Sequence, residues 1–200
     1  MKTNTDPLRP DTFYHIYNRG INRENIFKED RNYRFFLDRY HKFITPIAET
    51  LSYCLMKNHF HMMIRIRSEA EIRAAFPQKE KLETDRIISL QFSHLFNSYA
   101  QAVNKSFKRT GGLFETPFRR IPILDADYRR RVLRYIHRNP VKHGFTNDFR
   151  SYRWSSYQSY LDDRFDDPER DLVIEWFGGR DEFVKVHEEE AGEEDISDTY

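Results

Sequence analysis

The chain has 200 residues, 38% hydrophobic and 16% aromatic, which is enough apolar surface for a core and excludes a mostly disordered protein. Its one cysteine, Cys54, excludes an intramolecular disulfide and a multi-cysteine zinc site. No apolar run reads as a membrane span or a secretory leader, so a soluble, cytoplasmic protein with no membrane partner is expected. The net charge of +1 is unevenly spread. Residues 161–200 carry 16 Asp and Glu against 4 Lys and Arg, and residues 1–160 carry the other 16 acids against 29 bases. A body that basic attracts polyanions, nucleic acid above all, unless the two parts neutralise each other in the fold.

In chain order, residues 1–11 are polar with two prolines and read as a flexible arm. Residues 12–19, TFYHIYNR, alternate as a strand that ends at Gly20. Tyr33, Phe36, Leu37, Tyr40 and Phe43 have helical spacing over 31–44, closed by Pro46. Residues 48–56 and 59–66 read as two strands joined by a tight turn at Lys57-Asn58. A long apolar stripe from Ile88 to Phe107 predicts a helix over 84–108, stopped by Gly111-Gly112. Residues 113–123 are extended, and their two prolines fit an edge strand. Asp125 caps a helix expected to run to about Arg138 and stop before Pro140. The segment WSSYQSY follows, read as a helix cap behind a packed Trp154. An acidic extension over 161–200 then carries a helix near 180–190 and a solvated tail. This order predicts an α+β fold, an antiparallel sheet with helices packed on one face.

Two strings carry chemistry. In Asn58-His59-Phe60-His61, strand alternation puts His59 and His61 on one face, about 7 Å apart, where two imidazoles can converge on a divalent ion. The same pair also fits a solvated sheet face. In Arg134-Tyr135-Ile136-His137-Arg138-Asn139-Pro140, a helical turn brings the Tyr135 phenol and the Asn139 amide to one side. An amide oxygen suits Mg²⁺ or Mn²⁺. Spacing alone favours Tyr135 as a core residue on the stripe with Tyr128 and Val132, and Asn139 before Pro140 also fits a turn residue. Basic side chains interleave with aromatics throughout, and Arg19, Arg23, Arg65, Arg67, Arg119, Arg120, Arg131, Arg134 and Arg138 are candidate nucleic-acid contacts. No phosphate-binding glycine loop, dinucleotide fingerprint or nucleophile elbow is present.

Five strings in order, FYHIYNRGINRENIF (13–27), YCLMKNHFHMMI (53–64), GGLFETPFRR (111–120), YIHRNPVKHGF (135–145) and YRWSSYQSY (152–160), resemble the REP-associated tyrosine transposases. These are relatives of the single-tyrosine insertion-sequence transposases of the HUH endonuclease superfamily. The resemblance covers residues 12–160 and implies a ferredoxin-like sheet with the two histidines on a central strand. It implies that His59, His61 and Asn139 bind Mg²⁺ or Mn²⁺ and that Tyr135 is the nucleophile. Hairpin-bearing single-stranded DNA would be cleaved and rejoined through a 5′-phosphotyrosine, by a monomer or a homodimer associated with the nucleoid. The alternative is a catalytically silent binder of structured single-stranded DNA or RNA. The acidic extension matches the family least and is expected to cover the basic face or to be a solvated tail.

Overall fold

The structure is a computed structural model that describes residues 6–162 and 167–189. Four strands, β1 (Phe13–Arg19), β2 (Ala48–Met56), β3 (His59–Ile66) and β4 (Arg119–Ile123), form an antiparallel sheet in the order β2-β3-β1-β4. The six helices are α1 (Asp30–Ile44), α2 (Glu69–Ala75), α3 (Thr84–Ser106), α4 (Ala126–Lys142), α5 (Pro168–Trp176) and α6 (Arg180–Glu188). Among the described residues, no helix is long and apolar enough to cross a membrane.

Strand alternation sorts the side chains into two cores. Tyr14 and Ile16 of β1 and Phe60, Met62, Ile64 and Ile66 of β3 point to one face. There they meet Tyr33, Phe36, Tyr40 and Ile44 of α1 and Ile88, Phe92, Leu95 and Tyr99 of α3. Each such fully buried apolar side chain stabilises the fold by about 1.5–3 kcal/mol relative to exposure. Helices α1 and α3 are thus the expected cover. The other face, expected to be open, is covered as well: Leu51, Cys54, Met56, Met63 and Ile123 pack on Val132, Leu133, Tyr135 and Ile136 of α4. The apolar stripe of α4 has to be buried somewhere, and this is the free side of the sheet.

Three further expectations need correction. The arm over 1–11 is packed down where it is described, with Leu8 buried in the first core and Asp11 N donating to Ile66 O at 3.0 Å; residues 1–5 lie outside the described residues. Helix α4 does not stop before Pro140 but runs through it to Lys142. Proline fixes φ at a helical value and forfeits only one hydrogen bond, and His143 N restores the ladder by donating to Asn139 O at 3.0 Å. Ser156 stands at the N-cap of the short helix Tyr157–Leu161, as expected, but its side chain does not make the capping bond. Its Oγ accepts from Tyr53 N at 2.9 Å and lies 2.8 Å from His137 Nε2, tying the edge of β2 to α4. Trp154 is packed as expected, stacked on Tyr33 with ring centroids 4.4 Å apart. Backbone hydrogen bonds from Leu55 N to Trp154 O and from Ser156 N to Tyr53 O cover the free edge of β2.

The expected helix near 180–190 is α6, and it docks on α4. Arg134 donates to Glu189 O and Arg138 to His187 O, the carbonyls that end α6, while Arg130 donates to Trp176 O at the end of α5. Cations at helix C-termini are favourable partners for those unpaired carbonyls. Between the helices, His137 Nδ1 and His187 Nε2 are 3.0 Å apart and fully buried. The tail beyond 189 lies outside the described residues.

Burial pushes His137 well below the ordinary 6.5 and His187 down to about 4. Above pH 6.5 both histidines are neutral in folded and unfolded chains. Below it only the unfolded chain takes up protons, so stability falls as the pH drops from 6.5 toward 4. Urea unfolding at pH 5 should show a loss of about 2 kcal/mol or more relative to pH 7.5 from His187 alone. Equal stability at the two pH values would show that the pair is not held neutral.

Candidate active site

The β1–β3 register builds the site. Tyr17 stands opposite His61 and Arg19 opposite His59, with His15 one step further along the same face. His59 Nδ1 lies 2.7 Å from Asn58 Oδ1. An amide oxygen only accepts, so the proton sits on His59 Nδ1 and its Nε2 carries the lone pair. His61 Nδ1 lies 2.9 Å from His15 Nε2. Burial, and then the charges of His15, His59, His143 and Lys142, push His61 well below 6.5, which keeps it neutral as a metal ligand must be.

Helix α4 lays its inner row over these histidines. Asp125 Oδ1 accepts from Tyr128 N at 2.7 Å and starts the helix, so Val132, Tyr135 and Asn139 turn toward the sheet. The Tyr135 ring stands edge-on to His61 at 5.5 Å and to His15 at 5.8 Å. Tyr17 stacks on His61 at 5.5 Å. Lys142, two turns beyond Tyr135, places Nζ 5.0 Å from the Tyr135 ring centroid. His143 meets His59 with ring centroids 4.8 Å apart. Asn139 Nδ2 donates to Tyr135 O at 2.9 Å, and its Oδ1, fully buried, accepts no hydrogen bond from any described residue.

The structure therefore brings Tyr135 against His61 between β3 and α4, with His59 on the same strand face and Asn139 buried one helical turn beyond Tyr135. Among the described residues no three His, Cys, Asp or Glu side chains group as a metal site, so the Asn139 amide oxygen is the third candidate ligand. A buried acceptor with no donor costs about 1–3 kcal/mol, and a cation there would repay it. The His61 imidazole, kept neutral by burial, the His59 imidazole and that oxygen are donors of a kind that fits a divalent ion, with the imidazoles favouring Mn²⁺ over Mg²⁺.

The candidate arginines divide. Arg19 flanks His59 and donates to Glu115 at 2.7 Å, Arg119 lies opposite Tyr17, and Arg23 is exposed just after β1. Arg131 is exposed on α4. Arg65 forms a two-pronged pair with Glu49 at 2.6 and 2.7 Å, six residues or roughly 20 Å from His59 along β3. Arg67 holds Thr45 O, Glu49 and Glu71. Arg120 points to the opposite face and covers the Phe118 ring. Arg134 and Arg138 anchor α6.

Sequence reasoning passed over His15, Tyr17 and His143. His15, Tyr17 and Arg19 share the odd-numbered face of FYHIYNR, a signal that appears only once the pairing with β3 is known. His143 continues the row Tyr135, Asn139, 143 at four-residue spacing, and it was hidden by the expectation that Pro140 ends the helix.

No family model matches the chain, and no curated protein matches it. Among solved structures, the chain is similar to a REP-associated tyrosine transposase bound to a REP hairpin, with a TM-score of 0.59 and 13% identity. The match covers 80% of this chain and 85% of that one. The two chains share a fold.

Asn139→Leu keeps the side-chain volume and removes the orphaned acceptor. Losing the bond to Tyr135 O costs about 1 kcal/mol, and relieving Oδ1 returns about 1–3 kcal/mol. Urea unfolding of the metal-free variant should show no loss and a gain of up to about 2 kcal/mol. A marked destabilisation would mean that Oδ1 is satisfied in the folded chain.

Proposed function

We propose that the protein is a transposase-like single-strand DNA endonuclease and strand transferase that acts on hairpin-bearing DNA, with Tyr135 as nucleophile. One observation carries the reading: a tyrosine set edge-on to a buried, neutral histidine of a His-x-His pair, one helical turn from an orphaned buried amide oxygen. The shared fold with a hairpin-bound transposase supports the choice of substrate.

The residues act as follows. A single strand lies along the edge of the site, where Arg19, Arg23 and Arg119 meet its phosphates and Arg131 adds charge from α4. Tyr135 is 6% exposed, so the scissile phosphate has to displace part of its cover, of which Lys142 is an exposed member. The Tyr135 oxygen attacks phosphorus. A tyrosine–phosphorus bond forms, the bond to the 3′ oxygen breaks, and that oxygen leaves as a 3′-hydroxyl while the phenol gives up its proton. The product is a 5′-phosphotyrosine, and attack by a 3′-hydroxyl reverses the step without ATP. An ordinary tyrosine loses its proton only near pH 10, so the attack needs a nearby positive charge, and Lys142, with Nζ 5.0 Å from the Tyr135 ring centroid, is the candidate for it. His59, His61 and Asn139 would hold Mg²⁺ or Mn²⁺, which when bound neutralises charge building on the phosphate.

The test is a denaturing gel with hairpin-bearing single-stranded DNA from around the gene, with and without Mn²⁺. A covalent protein–DNA band that requires metal and is lost in Tyr135→Phe is expected. Nicking that survives in Tyr135→Phe would overturn the nucleophile. Tight hairpin binding with no cleavage by the wild type would leave a silent binder of structured single strands. Arg131→Gln should weaken hairpin binding and lower the slope of log affinity against log salt by about 1, whereas Arg65→Gln, whose partner is Glu49, should leave that slope unchanged.

A further inference from the structure

We infer that His15 is a positioning residue whose Nε2 accepts a hydrogen bond from the Nδ1–H of His61 and so fixes His61 Nε2 as the ligating nitrogen. The inference rests on the metal-dependent reading of the site and adds to it a residue that the His-x-His string does not contain.

The geometry is that of a hydrogen bond between ring edges. His15 Nε2 and His61 Nδ1 are 2.9 Å apart while the ring centroids are 5.1 Å apart, a separation that two imidazoles reach edge to edge and not face to face. Both residues are buried, at 2% and 1% exposure, on neighbouring strands whose register is set by the sheet. Tyr17 stacks on His61 and Tyr135 stands edge-on to both rings, so neither imidazole is at liberty to turn.

The arrangement repeats what Asn58 does for His59. There Nδ1 donates to an amide oxygen, which can only accept, and the opposite nitrogen Nε2 is left with its lone pair. At His61 the partner is another imidazole, which can accept or donate. A proton on His15 Nε2 would force the His61 proton onto Nε2 and block it as a ligand. A proton on His15 Nδ1 makes His15 an acceptor and leaves both histidines of the pair presenting Nε2. Partners of this kind orient ligating histidines, and their loss typically weakens metal binding 10- to 100-fold.

Two variants separate positioning from packing. His15→Phe keeps the ring and its contacts with Tyr135 but cannot accept. His15→Gln retains a side-chain carbonyl that can accept, as Asn58 does. Long-range ¹H–¹⁵N NMR of the imidazoles in the metal-free protein at neutral pH should show His61 protonated on Nδ1 in wild type and His15→Gln, with that preference lost in His15→Phe. Titration with Mn²⁺ alone, followed by the electron paramagnetic resonance of free Mn²⁺, should show binding weakened about 10- to 100-fold in His15→Phe and within a few-fold of wild type in His15→Gln. Metal-free hairpin binding should be the same for all three proteins, and melting curves should show all three folded at the assay temperature, with His15→Phe the lowest because His61 Nδ1 loses its partner. A His61 proton on Nε2 in the wild type overturns the proposal alone. So does His15→Phe with unchanged tautomer and affinity, or His15→Gln falling as far as His15→Phe. A wild type with the expected tautomer that takes up no Mn²⁺ overturns the metal reading, and the proposal with it.

Discussion

Slip β1 by one residue against β3 and the candidate site disappears. The period of a strand is two, so a slip would send Tyr17 and Arg19 out of register with His61 and His59 and separate His15 from His61. The register is held from the other face of the sheet, where Tyr14, Ile16, Phe60, Met62 and Ile64 are buried under α1 and α3. A polar, histidine-rich layer is tolerated inside the protein because an apolar layer one side chain away pays for its alignment. Helix α4 then closes over it, and its capped start at Asp125 sets which row, Tyr135 and Asn139, faces the histidines.

Much of this was legible in the residues. The two strands 48–56 and 59–66, the turn between them and the long helix from 84 follow from strand alternation and from the apolar stripe of the helix, although the sheet is buried on both faces. The shared face of His59 and His61 follows from the same rule. The second core was not legible. Its apolar residues are fewer and come from segments far apart in sequence, Leu51, Ile123, Val132 and Phe183 among them. His15 and His143 were missed for the same physical reason. Their partners are set by strand pairing and by a helix that outlasts its proline, and both are tertiary outcomes.

The charge asymmetry is resolved in an unforeseen way. Among the described residues, main-chain carbonyls at the ends of α5 and α6 receive Arg130, Arg134 and Arg138 of α4. Other arginines are consumed by single carboxylates, as Arg65 is by Glu49. Counting bases therefore overstated the surface open to a polyanion. Around the histidines, the exposed positive groups among the described residues include Arg119 and Lys142, with Arg23 just beyond β1, while Arg19 is paired with Glu115. That distribution fits contact with a short stretch of strand at the site more than a broad electrostatic track.

The central claim is that this layer of side chains makes Tyr135 the attacking group, and the chain itself offers a rival, since Tyr17 stacks on the same histidine at the same 5.5 Å. Mass spectrometry of the DNA-linked tryptic peptide decides between them. Cleavage after Arg134 and Arg138 frames a peptide, Tyr135 to Arg138, with a single tyrosine. The account predicts the nucleotide adduct on that peptide. An adduct on the peptide that holds Tyr17, or on any other tyrosine, would contradict it.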